Sequence, residues 1–145
     1  MTKKEFKAIT TKCFTALDCK AYKKNFVYEH EDMYIIFELY KSYYSDCWFL
    51  DFNCSIKALH SELIFTGPDA ANESHDFGLP PRLVLEGIRS ITPEELDAKK
   101  YEDALNKTIK DILEKVNAQG LKFIKDVYKK RKGLKPNARE FLGIK

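Results

Sequence analysis

The chain has 145 residues, of which 44% are hydrophobic and 32% charged, and its formal net charge is +3. That balance fits one soluble globular domain with a single buried core. No apolar run approaches the roughly 20 residues a membrane-spanning helix needs, which excludes a helical membrane protein.

The opening Thr2-x-x-Glu5 fits a capping box, in which hydroxyl and carboxylate each satisfy an orphan amide. Phe6, Ile9, Cys13 and Leu17 then recur at spacings of three and four, predicting an amphipathic helix that ends near Cys19. Three strands are predicted next. Asn25 to His30 is short and aromatic. In Met33 to Lys41, Ile35, Phe37 and Leu39 point one way and Tyr34, Ile36, Glu38 and Tyr40 the other. The clearest pattern is Cys47 to Lys57, where Trp48, Leu50, Phe52, Cys54 and Ile56 alternate with Phe49, Asp51, Asn53, Ser55 and Lys57. Period two marks a half-buried strand. Short connections, including a loop at Ser42 to Asp46, make these strands antiparallel neighbours.

From 58 to 81 the pattern is weaker. Gly67-Pro68-Asp69 and Gly78-Leu79-Pro80-Pro81 signal turns, Leu63-Ile64-Phe65 a brief extra pairing, and 82–88 a fourth strand interrupted by Gly87. Thr92-Pro93-Glu94-Glu95 then reads as a helix start. Leu105, Ile109, Ile112 and Val116 form a stripe that stops at Gly120. A last helix carries Leu121, Ile124 and Val127 or Tyr128 and closes at Gly133. The expected class is α+β: an antiparallel sheet of three to five strands with an N-terminal helix and C-terminal helices packed on it. Residues 1–134 form one domain and 135–145 a basic C-terminal tail, from which Phe141, Leu142 and Ile144 could still dock.

Catalytic motifs do not stand out. Cys13, Cys19, Cys47 and Cys54 form no C-x-x-C pair. His30, His60 and His75 lack the spacing of a metal-binding helix. The six glycines make no phosphate-binding loop. Glu38 and Asp51 are the notable acids, because each shares a strand face with aromatics. The expectation is a non-enzyme with no cofactor and no metal. Without a signal-peptide stretch after Met1, the expected location is the cytoplasm.

Two surfaces remain. Tyr34, Tyr40, Tyr43, Tyr44 and Phe49 are candidate partner-binding residues, because tyrosine buries a large area and keeps a polar end. Charge supplies the other. Residues 121–145 hold nine Lys or Arg against Asp126 and Glu140, a net of +7, while residues 1–120 carry a net of −4. Lys129, Lys130, Arg131 and Lys132 could contact an anion or a nucleic acid. The expected partner is another protein, with nucleic acid the weaker alternative and no membrane. A third alternative is a small-molecule or enzyme pocket near the 58–81 loop, where Arg82, His60 and His75 would converge.

Tyr22-Lys23-Lys24 with Phe26, then Tyr34 to Ser42 with its Lys41-Ser42, then Trp48 to Ile56 resemble the bacterial family called domain of unknown function 4304. This chain has Ala21-Tyr22 where that family has Gly-Phe, and Ser55 where it has a strand glycine. The likeness covers roughly residues 5–57, and more weakly Leu79-Pro80-Pro81-Arg82 and the last helices. The family carries no established activity, so no site residue transfers. Other small bacterial α+β proteins of this kind look like immunity or accessory proteins beside toxin genes, which adds that role as an expectation by analogy of fold.

Overall fold

Four strands pair in the order in which they occur in the chain. The computed structural model describes residues 1–22, 24–60 and 74–144. β1 (Lys20–Tyr22), β2 (Asn25–Glu29), β3 (Met33–Lys41) and β4 (Trp48–Ile56) form an antiparallel meander. α1 (Lys3–Ala16) precedes the sheet. A 3-10 turn (Pro93–Glu95), α2 (Ala98–Gln119), α3 (Leu121–Arg131) and α4 (Pro136–Phe141) follow it. The α+β class read from the sequence is the observed one. The expected pairing of Leu63-Ile64-Phe65 and the turn at Gly67-Pro68-Asp69 lie outside the described residues.

α1 starts at the predicted capping box: the Glu5 amide donates to Thr2 Oγ1 at 3.1 Å, and the Thr2 amide to Glu5 Oε1 at 3.2 Å. It buries Phe6, Cys13 and Phe14. Phe14 stacks on Phe26 of β2 with centroids 4.2 Å apart and leans on Phe37 of β3. Register then extends the core across the sheet, because Phe37 faces Phe52 and Leu39 faces Leu50. Tyr101, Leu105, Ile109 and Val116 of α2 and Ile124 of α3 join the same cluster. The buried row of β4, from Leu50 to Ile56, therefore points at the helices as its alternation requires.

The opposite sheet face is a separate environment. The C-terminal helices do not cover it; their buried residues all belong to the cluster on the α1 side. Val27, Tyr34 and Ile36 instead form a second buried cluster, with Tyr22 packed against it. Polar positions on this face are buried too. Asn53 is held by the backbone of Phe77, donating from Nδ2 to its oxygen at 3.0 Å and accepting from its amide at 2.9 Å. A buried amide side chain persists when its hydrogen bonds are made.

Residues 82–88 do not add a fourth strand in the expected sense. The segment from 76 to 91 runs along the free edge of β4, touching it through isolated bridges at Trp48–Ile91 and Asp51–Arg82. Covering an edge in this way removes unpaired backbone groups from solvent. The 3-10 turn at Pro93 also differs from the expected helix start. Asp97 caps α2, accepting from the Lys100 amide at 3.0 Å. α4 lies inside the segment expected as a tail, and Ala138 and Leu142 are buried in the main core. Gly133 fixes the approach to α4: its φ is 92°, and a Cβ there would collide with the Leu79 carbonyl oxygen.

Candidate functional site

On the sheet face away from the helices, register sets Glu38 opposite Asp51 and Tyr40 opposite Phe49. Arg82 reaches the same place from the edge segment. The Phe52 amide donates to the Pro81 oxygen at 2.9 Å, and the Leu83 amide to the Leu50 oxygen at 2.8 Å. Those two bonds flank Asp51 and Arg82, which makes them a non-hydrogen-bonded pair, the kind with the closer side chains. The Arg82 guanidinium sits 3.7 Å from the Phe49 ring centroid and 5.7 Å from that of Tyr40. Its Nη2 donates to the Tyr40 hydroxyl, and its Nε lies 3.9 Å from Asp51 Oδ1. A cation over an aromatic face gains about 0.5–1 kcal/mol when partly exposed.

Asp51 is the perturbed group of this cluster. Its side chain is 15% exposed, and Oδ1 is buried with no hydrogen-bond partner. Burial pushes its pKa up to about 6; the Glu38 charge adds to the rise, while Arg82 and the Tyr40 hydroxyl pull it back. Glu38 keeps its own counterion, with Lys24 Nζ at 3.5 Å. Asp51, Glu38 and Tyr40 border an open cleft of about 880 Å³ that wraps round to the helix side of the sheet, where Lys7, Thr10 and Thr11 of α1 with Phe26, Leu39 and Trp48 line the rest of it. That volume falls in the range of small-molecule sites. A carboxyl that titrates near neutral pH in a cleft can take or give a proton under ordinary conditions.

The predicted contact residues separate into four environments. Tyr43 and Tyr44 stand at the β3–β4 hairpin tip, 100% and 98% exposed. Tyr40 and Phe49 are half-buried and clamp Arg82. Tyr34 is 2% exposed and belongs to the second core cluster, so it offers no contact surface. Lys129 to Lys132 form the exposed end of α3.

Arg82 does not converge with His60 and His75. His60 Nε2 lies 2.7 Å from Asp76 Oδ1, and the other Asp76 oxygen accepts from the Ile56 amide at 2.6 Å. Among the described residues no interaction joins Arg82 to either histidine. The rest of the expected 58–81 pocket lies outside the described residues. Sequence reasoning placed Glu38 and Asp51 on one face but missed the Arg82 clamp, for which Leu79-Pro80-Pro81-Arg82 was the nearest signal.

Three of the four thiols are passivated by burial. It pushes Cys13 to about 11 and Cys19 to about 12, and it raises Cys54 well above the ordinary thiol range. Among the described residues no cluster of three or more His, Cys, Asp or Glu is placed to hold a metal ion. No helix among them is long and apolar enough to cross a membrane.

Comparison with family models, curated proteins and solved structures gives no significant match. The likeness to the domain of unknown function 4304 therefore rests on the quoted sequence motifs alone.

Proposed function

We propose that the chain is a non-enzymatic protein-interaction module of a bacterial cytoplasm, presenting the end of its β3–β4 hairpin to another protein. The observation that supports this reading is the pair Tyr43 and Tyr44, both almost fully solvated, with Tyr43 at the rim of the cleft. Side chains of this size are normally spared such exposure, and tyrosine and arginine are the residues that dominate protein interfaces. The half-buried Tyr40 and Phe49 beside them, with the exposed Arg82 held over both rings, supply a wall in which each side chain positions the others. An immunity or accessory role, with a toxin as the protein bound, is suggested by analogy of fold with other small bacterial α+β proteins.

The test is site-specific photo-crosslinking in native cells. A crosslinker at position 43 or 44 is expected to trap one discrete partner, and a crosslinker at Leu79, which is also exposed, is not. Identical products at all three positions, or none, would remove the reading.

Asp51 favours a second reading. Its pKa of about 6 and the volume of the cleft suit a small polar ligand whose binding is linked to a proton. Ligand screening by protein NMR between pH 5 and 7 tests it: shifts at Glu38, Tyr40 and Asp51 that follow the Asp51 titration support the reading, and pH-independent shifts oppose it.

A further inference from the structure

The basic end of the chain carries charge that no acid among the described residues answers. Among the described residues before position 121, eight of fifteen Lys and Arg form an ion pair. From 121 to 144 none of the eight forms an ion pair with another described residue, Asp126 and Glu140 of the same stretch included. Unpaired surface cations raise the local potential and attract an oppositely charged surface.

This charge borders an apolar groove. Phe123, Val127, Lys130 and Arg131 recur at helical spacing on one face of α3. With Leu83 and Val84 they line a groove of about 260 Å³. The groove shares no lining residue with the cleft. Its volume falls below the roughly 300–1,000 Å³ of small-molecule sites. Val84 remains 40% exposed, a large apolar side chain left in water.

We propose that this groove docks an acidic amphipathic segment of a partner protein, with aliphatic side chains on Leu83, Val84 and Val127 and carboxylates on Lys130 and Arg131. Charge complementarity selects an acidic occupant. The aliphatic floor selects a peptide over a nucleic acid, because bases stack on open aromatic faces. Phe123 offers no such face; its ring is half-buried and set edge-on to Phe52, at 6.0 Å and 68°. A helix laid in a groove supplies both kinds of contact from one side. This surface uses none of the hairpin residues, so it stands or falls separately from the reading above.

Fluorescence anisotropy tests it with a labelled peptide of about 14 residues in which Leu and Glu follow helical spacing. The comparison probes are the same composition shuffled, an all-Glu peptide, and a single-stranded oligothymidylate of equal length. The amphipathic peptide is expected to bind tightest. Its affinity should fall by about tenfold or more in K130E/R131E and in Val84→Asp, and stay unchanged in Y43A/Y44A. All substituted positions are exposed, and circular dichroism confirms that the variants fold. The proposal is overturned by absent binding, by all-Glu or shuffled peptide binding as well as the patterned one, by tighter oligothymidylate binding, or by an unaffected Val84→Asp variant.

Discussion

On the helix-facing side of β4, Leu50, Phe52, Cys54 and Ile56 are all buried and apolar. On the other side of the same strand, Phe49 and Asp51 are half-buried while Asn53 and Ser55 are buried polar residues. The first row needs only the hydrophobic effect, and any neighbour of suitable shape completes it. The second needs particular partners brought from elsewhere in the chain: Phe77 for Asn53, Arg82 for Asp51. Burial of polar groups is tolerable only where such partners arrive, and among the described residues the buried carboxyl oxygen left without a hydrogen bond, Asp51 Oδ1, belongs to the group with the raised pKa.

One substitution breaks the apolar side. Phe37→Ala removes a fully buried ring between Phe14 and Phe52 and should cost about 3–5 kcal/mol in urea unfolding. A loss under about 1 kcal/mol would mean that the helix layer does not pack on the sheet as described. Asn53→Ala probes the polar side. It leaves the amide and carbonyl of Phe77 without their partner, at about 1–3 kcal/mol for each buried group, so a loss of roughly 2–6 kcal/mol is expected. A neutral Asn53→Ala would show that water reaches this strand.

Asp51→Asn sharpens the comparison by reversing the sign. In the native state the Asp51 carboxyl titrates at about 6, above its ordinary 3.8, so folding favours its protonated form. That contribution is fully present below about pH 4 and is lost as pH rises through 6. The amide variant does not lose it. It should therefore be more stable than the wild type by roughly 1–3 kcal/mol at pH 7.5, with the difference shrinking towards zero at pH 4. A gain that is the same at both pH values would show that Asp51 is not the titrating group.

The parts legible in the sequence are those set by local period. Alternation placed β3 and β4 to within a residue, and it put Glu38, Tyr40, Phe49 and Asp51 on one face. β1 was missed because Lys20-Ala21-Tyr22 is too short to show a period; it exists through its pairing with β2. α1 stops at Ala16 and not near Cys19, with Asp18 at a φ of 64°. The 82–88 run looks strand-like in composition, but Glu86 and Gly87 both have positive φ and turn it back, so Leu85 bridges Ile88. The Arg82 clamp depends on how the edge segment registers against β4, and no local pattern encodes a contact between distant segments. Tyr34 misled for a related reason: alternation gives the face, not what covers it.

The smallest stability effect carries the functional question. Tyr43→Ala and Tyr44→Ala remove side chains that touch almost nothing in the isolated chain, so unfolding should change by no more than about 0.5 kcal/mol. If the hairpin tip is an interface, the same substitutions should weaken partner binding by about 2 kcal/mol or more, measured by calorimetry on the crosslinked partner once it is purified. Phe49→Ala should weaken binding less directly, by freeing Arg82 from the ring that positions it 3.7 Å away. A partner that binds Y43A/Y44A as well as the wild type would move the interface away from the hairpin. The exposure of two aromatic rings would then need another cause.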